Sequence, residues 1–316
     1  MKKILTVTLL ILSSCVSTTQ TVYDEEVAYD YEIVEKNGKY IFVDEQGNYV
    51  KKLGTWDKIE HFSDDHGGFA KVWKENKEYY LDTLGNTYRV AYELLDTPNP
   101  AIEALALSPK HFDAFPMEVL QYPNLQVLII DGSYANEDNF TALPAEIVKL
   151  KRLRFLSLQY CALSTLPDNL GALKHLQVLC LKFNQLKSLP ESIGKLKKLK
   201  KLDLGDNQLT DLPESISKLQ KLNTLNLSKN QLTDLPENTG KLQNLKTLKL
   251  WDNQLTSLPK SFGKLQNLNM LYIGGNQITT LPESISKLQS LEWLDLSKNQ
   301  LSSLPENFGK LQNLKE

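Results

Sequence analysis

Residues 199–219 read Leu-Lys-Lys-Leu-Asp-Leu-Gly-Asp-Asn-Gln-Leu-Thr-Asp-Leu-Pro-Glu-Ser-Ile-Ser-Lys-Leu. Reduced to the positions that recur, the stretch is Leu199-x-x-Leu202-x-Leu204-x-x-Asn207-x-Leu209-x-x-Leu212-Pro213-x-x-Ile216-x-x-Leu219. Its Leu-Pro step returns at Leu143, Leu166, Leu189, Leu212, Leu235, Leu258, Leu281 and Leu304, always 23 residues apart, and a degenerate Phe115-Pro116 precedes them. A fixed period of this length means a stack of identical small units. Leu202 and Leu204 alternate, so both face one side of a strand. Asn207 follows at the turn, where an amide side chain can both donate to and accept from the main chain. Asn184, Asn230, Asn253, Asn276 and Asn299 repeat it, and Cys161 takes the same slot. Proline suits the first turn of a helix, because its missing N–H has no partner there anyway. Ile216 and Leu219, three apart, then face the core as one short helical turn. No unit buries its leucines alone; stacking joins them into one core.

This pattern resembles the leucine-rich repeat, in the Leu-Pro-x-x-Ile form of the intracellular Ras-group and many bacterial leucine-rich proteins. The resemblance implies an α/β solenoid over residues 102–316, with a curved parallel sheet on the concave face and short helices on the convex face. Cysteine is the tolerated alternative at the asparagine position, which accounts for Cys161. The second unit departs from the period. After Ile130 it runs Asp131-Gly132-Ser133-Tyr134-Ala135-Asn136-Glu137-Asp138-Asn139, five residues longer than the others, with the composition of a loop.

Residues 23–96 have another character. Lys39-Tyr40-Ile41-Phe42-Val43 leads into Asp44-Glu45-Gln46-Gly47-Asn48, and Lys77-Glu78-Tyr79-Tyr80-Leu81 leads into Asp82-Thr83-Leu84-Gly85-Asn86, 38 residues later. Aromatic and β-branched runs before Asp-x-x-Gly-Asn turns predict antiparallel hairpins, a small β module. Asp44 and Asp82 read as turn formers rather than paired catalytic carboxylates. The arrangement resembles a WG-type β repeat with degenerate tryptophan-glycine positions. Between the copies, His61, Asp64, Asp65 and His66 cluster like metal ligands, but no further ligand completes a set at a known spacing. They read as a solvated loop, and no metal or other cofactor is expected.

The chain opens Met1-Lys2-Lys3, runs apolar from Ile4 to Leu12, and continues Leu12-Ser13-Ser14-Cys15. Two lysines, a short apolar run and small residues have the layout of a secretory signal. The four residues ending at Cys15 resemble the lipobox of bacterial lipoproteins. The resemblance implies a signal peptide over 1–14, a diacylglycerol on Cys15 and a tether over 15–22. Two acyl chains anchor stably where one binds marginally. Val16 stands where an aspartate would signal inner-membrane retention in enterobacterial lipoproteins, which implies the outer membrane or cell surface. A cytosolic scaffold is the alternative if the signal is not processed.

Thirty-six basic residues against 38 acidic argue against nucleic acid as the partner, since that task needs a basic excess. Acid prevails over 21–96, with 17 acidic and 9 basic side chains, and base over 97–316, with 25 basic and 21 acidic. The lysines of Gly194–Leu202 read as a solvated face, with contact to an anionic lipid or glycan as the alternative. No nucleophile–base pair stands out, so the chain reads as a binding protein rather than an enzyme. The residues flanking the strand leucines point out of the concave face. Trp251, Tyr272 and Trp293 lie 21 apart against the 23-residue period, which draws them into a diagonal stripe. Lys249, Asp252 and Asp295 rim it, and Phe155, Tyr160 and Phe183 form a second aromatic group. Aromatics among polar residues are the make-up of a hot spot for a protein or glycan ligand. The last unit ends at Leu311 and Leu314, so Leu294 and Leu296 are expected to be partly uncovered, a place for fraying or self-association.

Overall fold

The computed structural model describes residues 31–63, 69–108, 112–132 and 140–315. Cys15, the apolar run before it, and Asp64, Asp65 and His66 lie outside the described residues. The first strands are β1 (Glu32–Lys36), β2 (Lys39–Val43) and β3 (Thr55–Trp56), joined as a three-stranded antiparallel sheet. A second sheet of 13 strands runs from β4 (Lys58–Ser63), β5 (Phe69–Lys74), β6 (Lys77–Leu81) and β7 (Thr87–Ala91) into the solenoid without a break. β4 to β7 pair antiparallel. From β7 onward each strand pairs parallel with the next: β8 (Ala104–Leu107), β9 (Val127–Ile130), β10 (Phe155–Ser157), β11 (Val178–Cys180) and β12 (Lys201–Asp203). The series continues with β13 (Thr224–Asn226), β14 (Thr247–Lys249), β15 (Met270–Tyr272) and β16 (Trp293–Asp295). The repeat sheet is therefore welded to the N-terminal hairpins through the β7–β8 pair.

The convex helices are 3₁₀ turns, most of them five residues long, such as Glu191–Lys195 and Glu214–Lys218. Proline stands one residue earlier than expected. Pro213 is the extended residue that precedes the turn, and its carbonyl accepts from Ile216 N–H at 2.9 Å. A missing N–H is harmless there, and the fixed φ sets the chain's direction. In four of these turns a glutamate opens and a lysine closes, matching the sign of the turn's dipole.

The leucines fill one continuous core along the stack. Leu202, Leu204, Ile216 and Leu219 are all fully buried. At the last strand the burial fails: Leu294 and Leu296 are half-buried, whereas Leu271 and Ile273 one unit earlier are fully covered. The two Asp-x-x-Gly-Asn turns share one hydrogen-bond pattern. The Asp44 carboxylate accepts from the N–H groups of Gln46 and Asn48 at 3.1 and 2.8 Å, and that of Asp82 from Leu84 and Asn86 at 2.9 and 2.8 Å.

Buried asparagines tie unit to unit. Asn230 Oδ1 accepts from Leu209 N–H at 2.9 Å, and its Nδ2 donates to the carbonyls of Leu204 and Leu227, each at 3.0 Å. Asn184, Asn207, Asn253, Asn276 and Asn299 repeat the set. Cys161 makes a reduced version, its thiol donating to the Ile130 carbonyl at 2.9 Å. Asn230→Ala would strand the buried Leu209 N–H, whereas the Leu204 carbonyl keeps its bond from Asn207 Nδ2 at 3.0 Å. Unpaired buried groups cost about 1–3 kcal/mol each. Chemical denaturation should show a loss of about 2 kcal/mol, against a negligible change for the exposed Gln231→Ala.

Candidate functional site: the open concave face

The face expected to be free along its whole length is partly occupied by the chain itself. Phe69 on β5 and Phe155 on β10 meet edge to face at 5.0 Å between centroids. Five strand spacings would separate them by about 24 Å in a flat sheet. The sheet must therefore roll, with β5–β7 curling over the start of the concave surface. Phe69, Tyr80, Tyr88, Val127, Ile129 and Phe155 form a separate core inside the roll. The other face of β5 and β6 packs on the three-stranded sheet through Phe42, Leu53, Trp56, Val72 and Leu81.

Phe155 thus leaves the set of ligand-facing residues. It is 6% exposed and belongs to the internal core. Sequence could not separate it from an exposed aromatic, because its partner comes from a strand 86 residues earlier in the chain. Cys180 is buried in the same roll, while Cys161 faces the leucine core. Burial pushes the Cys161 thiol well above its ordinary value, so it stays protonated, a structural donor rather than a nucleophile.

Sequence reasoning also missed Asp131, which reads as the start of a loop. Its carboxylate accepts from Ser157 Oγ at 2.7 Å, from the Gln159 N–H at 2.8 Å and from Gln159 Nε2 at 3.2 Å. Burial raises its carboxyl above the ordinary range against the pull of those donors. The same roll raises Tyr80 to about 12, chiefly by burial.

Beyond the roll, from β12 to β16, the concave face is open. Register places Trp251 level with Gly274, Tyr272 level with Lys249 and Asp295, and Trp293 level with Met270. The three rings descend diagonally across three strands, each half-buried. Lysines cover two of them: Lys229 Nζ lies 4.8 Å from the Trp251 ring centre and Lys249 Nζ 5.7 Å from that of Tyr272. Lys229 also pairs with Asp206 at 3.5 Å, and Asp206 with Lys182 at 3.9 Å. Lys182 in turn lies over Phe183 at 4.4 Å. A charged line therefore links the two aromatic groups. Burial lifts the Asp206 carboxyl above its usual range, opposed by both lysines.

Tyr160 and Phe183 stack face to face at 4.2 Å, on the far margin of the sheet. Each has a left-handed backbone, with φ of 54° and 57°, as do Asp206, Lys229, Asp252 and Lys298 in the same column. The turn before each asparagine demands this conformation, which costs a non-glycine residue of the order of 1 kcal/mol. Gly275 alone meets it without that cost. Beside it, the bare floor at Gly274 has Asp295 Oδ2 and Ser297 Oγ within 2.8 Å of where a Cβ would stand. The floor next to Trp251 is thus kept low by two consecutive glycines.

A family model described as a leucine-rich repeat region matches residues 104–231 and 214–316. The chain belongs to the leucine-rich repeat family. Solved structures agree. A leucine-rich repeat protein of Leptospira interrogans is 34% identical with a TM-score of 0.63, over 71% of this chain and 57% of that one. The ectodomain of the Arabidopsis thaliana membrane receptor kinase GASSHO1/SCHENGEN3, solved in complex with CASPARIAN STRIP INTEGRITY FACTOR 2, is 32% identical with a TM-score of 0.58, over 68% and 26% of the two chains. This leucine-rich repeat chain thus spans less than two thirds of either. No curated protein matches it.

The raised carboxyl of Asp131 yields a pH signature. A folded-state pKa above the unfolded one favours folding while the group is protonated, and that contribution is lost as pH rises from about 4, the unfolded value. Denaturation midpoints of the wild type, relative to those of Asp131→Asn, should therefore fall as pH rises from about 4 toward neutrality. A constant difference would remove Asp131 from the account.

Proposed function

We propose that this leucine-rich repeat chain is a non-catalytic binding protein that seats a protein ligand on β12–β16 of its concave face. The observation that carries the reading is the division of that face. The rolled hairpins cover its beginning, and the half-exposed Trp251, Tyr272 and Trp293 stand on the part left open. Lys249, Asp252 and Asp295 give these rings a charged rim, the arrangement of a hot spot. Family and fold support a binding scaffold, and the receptor ectodomain solved with its ligand is consistent with a protein partner. The stacked Tyr160 and Phe183 are a second contact, joined to the first by Lys182, Asp206 and Lys229.

The reading extends to address. The signal-like start and Leu12-Ser13-Ser14-Cys15 support export and a diacylglycerol anchor on Cys15, facing the ligand from a bacterial membrane. Crosslinking in intact cells would capture the partner. The Trp251→Ala, Trp293→Ala double variant should then bind it at least about 2 kcal/mol more weakly, with little change in melting temperature. Full affinity would transfer the site to Tyr160 and Phe183. Lost stability with unchanged affinity would make the rings packing residues. Separately, Cys15→Ala should release the protein from membranes; unchanged partitioning would favour the cytosolic scaffold.

A further inference from the structure

One row of the solenoid abandons its own pattern in four consecutive units. The residue just before the first leucine of each unit lies where the chain climbs from the convex turn toward the strand. In five units it is Asn or Ser, and its side chain donates to a backbone carbonyl of the unit before. Asn124 bonds Pro100 at 2.8 Å, and Asn244 and Asn267 bond Gln220 and Gln243 at 2.7 Å. Ser290 bonds Gln266 at 2.7 Å and Asn313 bonds Gln289 at 2.6 Å. The units between carry Arg152, His175, Lys198 and Lys221 there. None of the four makes that bond: Arg152 donates to Asn124 Oδ1 at 2.8 Å, and Lys198 Nζ lies 3.2 Å from His175 Nδ1. All four are exposed.

One adjoining row changes in the same units. One residue earlier stand Lys151, Lys174 and Lys197, where later units carry glutamines; Gln220, Gln266 and Gln289 reach carbonyls of the next unit at 3.1, 3.0 and 3.3 Å. Two residues after the first row the residue type varies along the whole stack, as Arg154, Gln177, Lys200, Asn223, Lys246, Asn269, Glu292 and Lys315, and Arg154 lies over the Tyr88 ring at 5.9 Å. Residues 149–201 accordingly hold 12 basic and 2 acidic side chains, whereas 202–316 hold 12 of each. In the first two rows later units show that the fold is content with uncharged side chains: Lys197 Nζ reaches the Lys218 carbonyl at 3.1 Å, as the glutamines of its row reach theirs, so the fold does not ask for the charge there. Among the described residues, no ion pair engages Lys149, Lys151, Lys195, Lys197, Lys198 or Lys221.

We propose that this edge, from Lys149 to Lys221, docks on the phosphate headgroups of an anionic membrane. The side chains are mostly lysines, mobile point charges that suit fluid headgroups; fixed sulfates or carboxylates favour the planar fork of arginine. Residues 149–152, 172–175, 195–198 and 218–221 include no Phe, Tyr or Trp, so the edge has neither the ring anchors of a protein hot spot nor the stacking platforms of a single-strand binder. Four units span about 15 Å across the strands, wide enough for several headgroups at once. The concave face is separate from this edge and stays open to its own ligand.

The test uses the full chain carrying Cys15→Ala, so that no acyl chain contributes, sedimented with phosphatidylcholine vesicles with and without phosphatidylglycerol. Binding should require phosphatidylglycerol and weaken with salt. The variant Lys197→Gln, Lys198→Asn, Lys200→Asn, Lys221→Asn borrows at each position the residue of the same row in a later unit. It should melt like its parent and bind on the order of a hundredfold more weakly, at several-fold per charge. Lys241→Gln, Lys264→Gln, Lys287→Gln, Lys310→Gln removes as many charges elsewhere and should bind nearly as its parent does. Absence of binding at low salt would overturn the proposal, as would equal losses in the two variants. So would tighter binding to soluble heparin, lost in the first variant only, which would give the edge to a sulfated polysaccharide.

Discussion

Each ladder asparagine serves two units at once, and the solenoid depends on that. A strand of three residues followed by a sharp turn leaves N–H and carbonyl groups pointing into a leucine core, where water cannot reach them. A single amide closes them: Asn253 accepts from Leu232 N–H and donates to Leu227 of the preceding unit and Leu250 of its own. The bond is local in geometry but couples neighbours in energy. Each unit therefore rests on the next, and stability spreads along the stack as a chain of interfaces. The leucines supply the driving force, but without the amides their burial would strand polar groups at a comparable cost.

The first end of the stack is closed by the chain itself. At its start the parallel sheet does not stop; it hands its edge through β7 to antiparallel hairpins, which roll inward and cover the first concave strands. An open parallel edge is a liability for pairing with other chains, and this roll removes it. The same roll removes ligand surface. Phe69, Tyr80 and Tyr88 fill the space in front of β9 and β10, so the open part of the concave surface lies at β12–β16. The hairpin module thereby closes the fold and sets how much of the concave face stays open.

What the sequence discloses follows from the range of the interactions involved. The 23-residue period exposed the strand, the ladder and the convex turn, because each is dictated by residues within one unit or the next. The hairpin turns were legible for the same reason: Asp44 and Asp82 bond their own main chain two and four residues on. Phe155 was misplaced because it meets Phe69, and nothing in the repeat announces a rolled sheet. Asp131 was missed because its partners sit on the next strand, 26 and 28 residues away. Even the proline was one position out, since a 3₁₀ turn closes on the proline's own carbonyl and begins after it.

The two amide ladders show why such a fold can carry more than one surface. The buried ladder holds asparagine in every regular unit from Asn184 to Asn299, with Cys161 at the margin, since losing a buried bond leaves desolvated groups unpaired. The exposed ladder, on the edge where the strands begin, is interrupted four times in succession by Arg152, His175, Lys198 and Lys221. Water replaces the lost bond there, and the cost is small. Rows that face solvent are thus free to take on charge while the rows beneath them keep the period, so a regular repeat can hold a ligand on one face and a second chemistry along its edge.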